Sequence, residues 1–235
     1  MRGQSGMSAL AFLTARAAPI RMVIFDCDGV LVDSEPLANR VTAQVVTEAG
    51  WPLSAAEAEA EFIGLNLEAM IPLVEARIGH PLPDDWVPRL TSTLVDVLGR
   101  ESTPIPGAID ALHGVTRLGL PWRVASNSSH AEMNAKFHCI GIAALVAGRL
   151  HSYTDVAQGK PAPDLFLAAA AAEGIPPEAC VVIEDSITGA RAAAAAGMAC
   201  LGFAPHGDHP GLRAVGAHLF PAMHNLPALL AEAPR

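Results

Sequence analysis

The segment Met22-Val23-Ile24-Phe25 runs directly into Asp26-Cys27-Asp28-Gly29. Four consecutive apolar residues leave no polar face, so the segment reads as a strand buried on both sides, as in a parallel sheet covered by helices. Two carboxylates at the end of such a strand are costly unless that end meets a ligand or a counter-charge. The same pattern recurs downstream. An apolar strand over 122–125 closes on Ser126-Asn127-Ser128, a second over 181–183 closes on Glu184-Asp185, and a third is predicted over 199–203. Between them lie helical patterns over 108–118, 130–139, 164–173 and 187–196, with Gly119 and Gly197 as stop signals. Strands alternating with helices predict an α/β fold with a Rossmann-like parallel sheet.

The alternation is interrupted after the first strand. From Pro36 the apolar residues Leu37, Val41, Val45 and Ala49 fall on one helical face, and Gly50-Trp51-Pro52 ends that helix. Ser54 and Glu57 have capping-box spacing and open a second helix that stops near Gly64. A third begins at Asn66, meets Pro72 and ends at Gly79, and a fourth runs from about 85 to 98. The expected organisation is an α/β core formed by 20–35 and 103–235, with an all-helical insert over 36–102. Pro36 and the prolines at 104 and 106 mark its hinges. Residues 1–19 read as a flexible extension. Their apolar patch at 10–13 is too short for a signal peptide, and Arg16 interrupts the region where cleavage would fall.

The net charge of −9 argues against a nucleic-acid partner, which needs a basic footprint. No stretch approaches the roughly 18 uninterrupted apolar residues of a membrane span. Cys27, Cys139, Cys180 and Cys200 form no C-x-x-C pair, which fits reduced thiols and a cytoplasmic protein.

Ligands of open parallel sheets bind at the carboxyl ends of the strands, where strand order reverses. Asp26, Asp28, Ser126, Asn127, Glu184 and Asp185 all stand at that edge, and Lys160 comes from the loop Gly159-Lys160-Pro161-Ala162-Pro163 on the same side. Carboxylate oxygens without a Cys/His cluster suit Mg²⁺. A cation beside a lysine and a glycine turn suits a phosphoryl group, whose oxygens the amides after Asp26 and around Asn127 can cradle. One carboxylate can attack phosphorus, and another two residues away can exchange protons with the leaving alcohol and with water.

The string Asp26-x-Asp28-Gly29-Val30-Leu31-Val32-Asp33-Ser34 resembles the first motif of the haloacid-dehalogenase-like hydrolases. Ser126 is similar to their second motif, Lys160 in Gly-Lys-Pro-x-Pro-Asp to their third, and Glu184-Asp185-Ser186 to their fourth. The resemblance implies Asp26 as nucleophile and Asp28 as general acid and base. Mg²⁺ would be held by Asp26, the Asp28 carbonyl and Asp185 with help from Glu184. Gly29, Ser126, Asn127 and Lys160 would bind phosphate, and the helical insert would be a cap, as in the beta-phosphoglucomutase-like branch.

Within that family Asp28 disfavours dehalogenation and phosphonate cleavage, whose branches depart from aspartate there. A sugar-phosphate mutase is the rival reading. Those mutases place a histidine where this chain has Ala38 and an arginine in the cap loop, whereas 62–68 here has no basic residue. The expectation is a phosphatase for sugar or sugar-acid phosphates, acting as a monomer or weak homodimer. A non-catalytic phosphate-sensing module is a further alternative, and the helical insert argues against a receiver-type module. Arg40, Arg77 and Asn66 are candidate cap contacts. His206, Asp208 and His209 read as an exposed loop, Trp51 and Trp86 as packing residues, and Cys27 as an inward-facing thiol.

Overall fold

The computed structural model describes residues 9–15, 18–62, 65 and 67–234. Its centre is a six-stranded parallel sheet built from β1 (Met22–Phe25), β4 (Trp122–Ser126), β5 (Leu150–Ser152), β6 (Cys180–Glu184), β7 (Ala199–Phe203) and β8 (His218–Phe220). The order is β5-β4-β1-β6-β7-β8, so the chain leaves β1 toward one edge and later returns to build the other. That reversal puts the end of β1 at the switch point of the sheet, between the ends of β4 and β6.

Alternation along the strands explains why both faces are apolar. Val23, Phe25, Val124, Val181, Ile183 and Leu201 point into one cluster, Met22, Ile24, Ala125, Val182 and Cys200 into the other. The first cluster is closed by α6 (Ala108–Arg117), α7 (His130–Cys139), the short α8 (Ala143–Val146) and α12 (Leu226–Ala231). The second is closed by α9 (Asp164–Ala172), α10 (Ile187–Ala195) and α11 (Pro210–Ala214). Fully buried Ala169, Ala190, Ala192 and Ala193 let the helices on this side lie close to the sheet.

A third cluster draws its residues from 41–98 alone. It joins α2 (Glu35–Glu48), α3 (Ala55–Phe62), α4 (Leu67–Ile78) and α5 (Trp86–Glu101). Leu90, Leu94 and Leu98 of α5 recur at four-residue spacing on its buried face. The expected capping box is present, with Ser54 and Glu57 exchanging hydrogen bonds. Trp51 meets Phe62 edge to face at 5.7 Å, and Trp86 is buried. The chain leaves and re-enters this layer through a two-stranded antiparallel ribbon, β2 (Val32–Asp33) against β3 (Thr103–Pro104). No helix among the described residues is long and apolar enough to cross a membrane.

Two differences from the expected architecture have simple causes. Where a loose extension is expected, residues 9–14 form α1 (Ala9–Thr14), with Leu13 fully buried and Phe12 stacked on His218 at 3.6 Å. Ala9, Phe12 and Leu13 have the spacing of one helical face. The strands β5 and β8 are not anticipated, because each is three residues long, contains a histidine and lies at a sheet edge. The expected helix stop at Gly64 and start at Asn66 lie outside the described residues.

Gly114 of α6 tests the packing of that face. A Cβ there would lie 2.3 Å from Pro227 Cγ of α12. Alanine in a helix normally gains about 1 kcal/mol over glycine, but overpacking a fixed neighbour costs about 1–3 kcal/mol. Gly114→Ala should therefore lower the denaturant midpoint. A variant as stable as the parent would show that α12 yields freely.

Candidate active site

The site grows from the end of β1. Phe25 is paired with Val124 and Ile183, and Asp26 follows as the next residue, its backbone N–H donating to the Ile183 carbonyl at 3.0 Å. The chain then turns tightly: the N–H groups of Leu31 and Val32 both donate to the Cys27 carbonyl, and Gly29 donates to Val32. Gly29 is required twice over. Its φ is +72°, and a Cβ would sit 1.8 Å from Asp185 Oδ2. Cys27 between the two aspartates is buried in the core, as expected.

Lys160 is buried and bridges two strands. Its Nζ lies 2.6 Å from Asp26 Oδ1 and 2.6 Å from Glu184 Oε1. Glu184 is fully buried, and its other oxygen accepts from the Ser186 N–H and hydroxyl at 3.1 and 2.8 Å. Ser186 in turn caps α10 by accepting from the Gly189 N–H. A Cβ at Gly189 would fall 1.7 Å from Glu184 Oε1, so the start of α10 must be bare for this carboxylate to fit. Asn127 fixes the backbone of Lys160 with both ends of its amide, accepting from the Lys160 N–H at 2.8 Å and donating to its carbonyl at 3.0 Å.

Asp28 points to a different set of partners. Oδ1 accepts from Lys136 Nζ at 2.6 Å and from the Ser34 hydroxyl, while Oδ2 accepts from the hydroxyls of Ser128 at 2.8 Å and Ser126 at 3.2 Å. The Ser126 hydroxyl also accepts from the Ser128 N–H. Helix α7 is capped by Ser129 and Glu132, which leaves Ser126 and Asn127 free of that duty.

The electrostatics divide the carboxylates. Burial pushes Asp26 up to about 7 and Glu184 and Asp28 add to this, against the pull of Lys160. Asp185 is pushed up to about 9 by burial and by the charges of Asp26, Glu184 and Glu35. Asp28 goes the other way, down to about 2, because Lys136 and the hydrogen bonds from Lys136, Ser34 and Ser128 outweigh its burial. Four carboxylates against two lysines leave two negative charges uncompensated when all ionise. Asp26, Glu184 and Asp185 place one oxygen each within 4.8 Å of one another. An all-oxygen donor set with an unmet charge of two fits Mg²⁺.

The structure thus brings Asp26, Asp28, Gly29, Ser126, Lys160, Glu184 and Asp185 to one sheet edge, with the Asn127 side chain on the Lys160 backbone. The candidate cap contacts Arg40 and Arg77 have other partners, Arg40 pairing with Glu101 at 2.7 Å and Arg77 lying over the Trp51 ring at 5.3 Å. Asn66 lies outside the described residues. His206 and Asp208 are exposed, and His209 caps α11. Lys136 is not among the residues that motif and spacing single out. Its signal is a lysine between Met133 and Phe137, on the buried stripe of α7, where a charge needs a partner.

Comparison with known proteins agrees with this geometry. Residues 20–197 match the family model of the haloacid dehalogenase-like hydrolases. The chain is 32% identical over 191 residues to SUPPRESSOR OF QUENCHING 1, a chloroplastic protein of Arabidopsis thaliana, covering 77% of this chain but only 18% of that protein. It is 30% identical over 180 residues to the 6-phosphogluconate phosphatase of Escherichia coli (strain K12), covering 76% of this chain and 80% of that one. Among solved structures, a HAD family hydrolase of Deinococcus radiodurans R1 with bound phosphate and sodium superposes with a TM-score of 0.74. It shares 31% identity and covers 93% of this chain and 100% of that chain. A family model that spans the sheet edge and all four of its acidic residues leaves one assignment: the chain belongs to the haloacid dehalogenase-like hydrolases.

Proposed function

We propose that this chain is a Mg²⁺-dependent phosphatase of small phosphorylated metabolites, with sugar or sugar-acid phosphates as its substrate class and Asp26 as its nucleophile. The observation that carries this reading is the placement of Asp26. It stands at the switch point of the sheet, locked by Lys160, with Glu184 and Asp185 beside it. The Escherichia coli relative that acts on 6-phosphogluconate and the phosphate-bound Deinococcus structure support the substrate class.

In this scheme an Asp26 oxygen attacks phosphorus, and the bond from phosphorus to the alcohol oxygen breaks. The negative phosphoryl group of bound substrate raises the proton affinity of Asp28 above its low value in the free site, so that Asp28 takes up a proton on binding. It gives that proton to the departing oxygen, then takes one from the water that hydrolyses the aspartyl phosphate. Lys160, with the amides of the turn at Gly29 and those of Ser126 and Asn127, meets the phosphoryl oxygens as charge builds on them. Mg²⁺ would be held by Asp26, the Asp28 carbonyl and Asp185, with Glu184 assisting through Lys160 and Ser186, and would supply charge neutralisation beside the phosphoryl group. Residues 36–102 act as a cap over the core formed by 20–35 and 103–235, with the β2–β3 ribbon carrying both crossings. Ala38 supports hydrolysis over phosphoryl return to a sugar, since no base stands at that position to favour a mutase. The four free thiols suit a reducing compartment such as the cytoplasm.

Phosphate release from a panel of sugar, sugar-acid and nucleoside monophosphates, with Mg²⁺ and with EDTA, tests the reading. Release should require Mg²⁺, and Asp26→Asn should abolish it together with acid-stable labelling by phosphate. Near-parental turnover by Asp26→Asn would remove the mechanism. Lys160→Ala should lower kcat/KM by about 10²-fold or more, since it removes both the clamp on Asp26 and a donor to the transition state.

The raised carboxyls give a pH signature. Asp26 and Asp185 bind protons in the folded chain up to about 7 and about 9, against an ordinary 3.8 when unfolded. The folded state therefore holds more protons across this window, and its stability falls as pH rises from about 4 to about 9. A bound divalent cation takes the place of those protons. The gain in thermal midpoint on adding Mg²⁺ should be larger at pH 8.5 than at pH 6 (both about these values). An equal gain at both would show that these carboxyls do not hold the cation.

A further inference from the structure

Proton transfer through Asp28 leaves without a role the group that grips this carboxylate most firmly. The Lys136 side chain is only 1% exposed, and its Nζ is 2.6 Å from Asp28 Oδ1 and 2.8 Å from the Ser128 hydroxyl. That hydroxyl donates to Asp28 Oδ2 at 2.8 Å. Lysine, serine and carboxylate thus form a closed ring in which each Asp28 oxygen has its own donor. Ser34 and Ser126 also donate to Asp28, but the Ser128 hydroxyl is itself oriented by the Lys136 ammonium. The Lys136 stem is fixed on α7 between the buried Met133 and Phe137.

A buried ion pair is a poor way to stabilise a core, since desolvation cancels much of the attraction and an apolar side chain of equal volume does as well or better. The geometry has more force as a means of orientation. Asp28 follows a strand on a loop, and the donors on its carboxylate are the Lys136 ammonium and three serine hydroxyls, so its direction depends on this ring.

We infer that Lys136 is a positioning residue for Asp28: together with Ser128 it fixes the direction in which that carboxyl exchanges protons with the substrate. The inference rests on the phosphatase reading. In the first half-reaction the bond from an Asp26 oxygen to phosphorus forms and the bond from phosphorus to the alcohol oxygen breaks. The electron pair left on that oxygen takes the proton that Asp28 has taken up from water on substrate binding, and the alcohol departs. In the second, water oxygen bonds to phosphorus, the Asp26 bond breaks and a water proton returns to Asp28. Lys136 keeps its protons throughout and touches neither phosphorus nor the leaving oxygen.

The test separates leaving groups. A sugar phosphate that the parent turns over loses a basic alkoxide and needs the Asp28 proton. p-Nitrophenyl phosphate loses a phenolate that needs none. In Lys136→Met, kcat/KM for the sugar phosphate should fall on the order of 10²-fold while that for p-nitrophenyl phosphate changes less than about threefold. Ser128→Ala, a half-buried site, should show the same selectivity with a smaller loss, on the order of tenfold, and covers the case in which Lys136→Met fails to fold. Adding Lys136→Met to Asp28→Asn should cost less than about a further threefold on the sugar phosphate, because the residue acts only through Asp28. Equal losses on both substrates, additive losses in the double variant, or no loss would each overturn the inference. A parent inert toward every phosphate would instead remove the phosphatase reading and this inference with it.

Discussion

Like charges crowded at the end of a buried sheet set the terms for everything around them. Asp26, Glu184 and Asp185 lie within a single ion's reach of one another, and Asp28 follows two residues after Asp26. In water such a group would disperse. Here the strands forbid it, because register fixes β1 beside β6 and so Asp26 beside Glu184. Lys160, 2.6 Å from each, is the contact that makes this tolerable, and it leaves Asp185 with no ammonium or guanidinium partner among the described residues. The remaining charge is therefore displaced onto whatever binds. That is a sound physical basis for a site that holds a cation and a phosphoryl group together, and a poor one for a site that stays empty.

The small residues near the site follow from the same crowding. Glu184 occupies the space a side chain at Gly189 would fill, and Asp185 that of a side chain at Gly29. Gly159 is similarly constrained, since a Cβ there would come 2.7 Å from Asn127 Oδ1, the atom that holds the Lys160 N–H. Glycine is used at these places less for flexibility than for room. Each permits a polar side chain to lie against backbone, and two of the three, Glu184 and Asn127, make their hydrogen bonds to Lys160 and its surroundings.

Much of this could be read from the residues alone. Met22–Phe25 and Cys180–Glu184 are legible because an uninterrupted apolar run needs burial on both faces, and an acid at its end needs a ligand or a cation. The helical layer is legible because α2 and α5 keep a clear apolar face. The edge strands are not, since β5 and β8 are short and carry polar residues that alternation alone does not distinguish from loop. Asn127 shows a subtler limit. Its position after Ser126 suggests a phosphate ligand, but its side chain ties down Lys160, a partner 33 residues away that only the folded loop reveals. Lys136 is the clearest case. Its partner Asp28 is 108 residues distant, and local pattern offers only the oddity of a lysine in an apolar stripe.

That stripe also bears on how the helical layer and the sheet edge communicate. Helix α7 carries Lys136 toward Asp28 on one side and packs against α5 on another, where a Cβ at Gly99 would lie 3.6 Å from Ala135. The two contacts are made by adjacent residues, Ala135 and Lys136. The loop bearing Asp28 leads directly into β2, which is paired with β3, and β3 follows α5. Asp28 is thus tied to the C-terminal end of α5 along two routes, one through backbone pairing and one through the ammonium of Lys136. The Asp28 carboxylate is therefore tied, through α7 and through the ribbon, to the part of the helical layer that packs on the core.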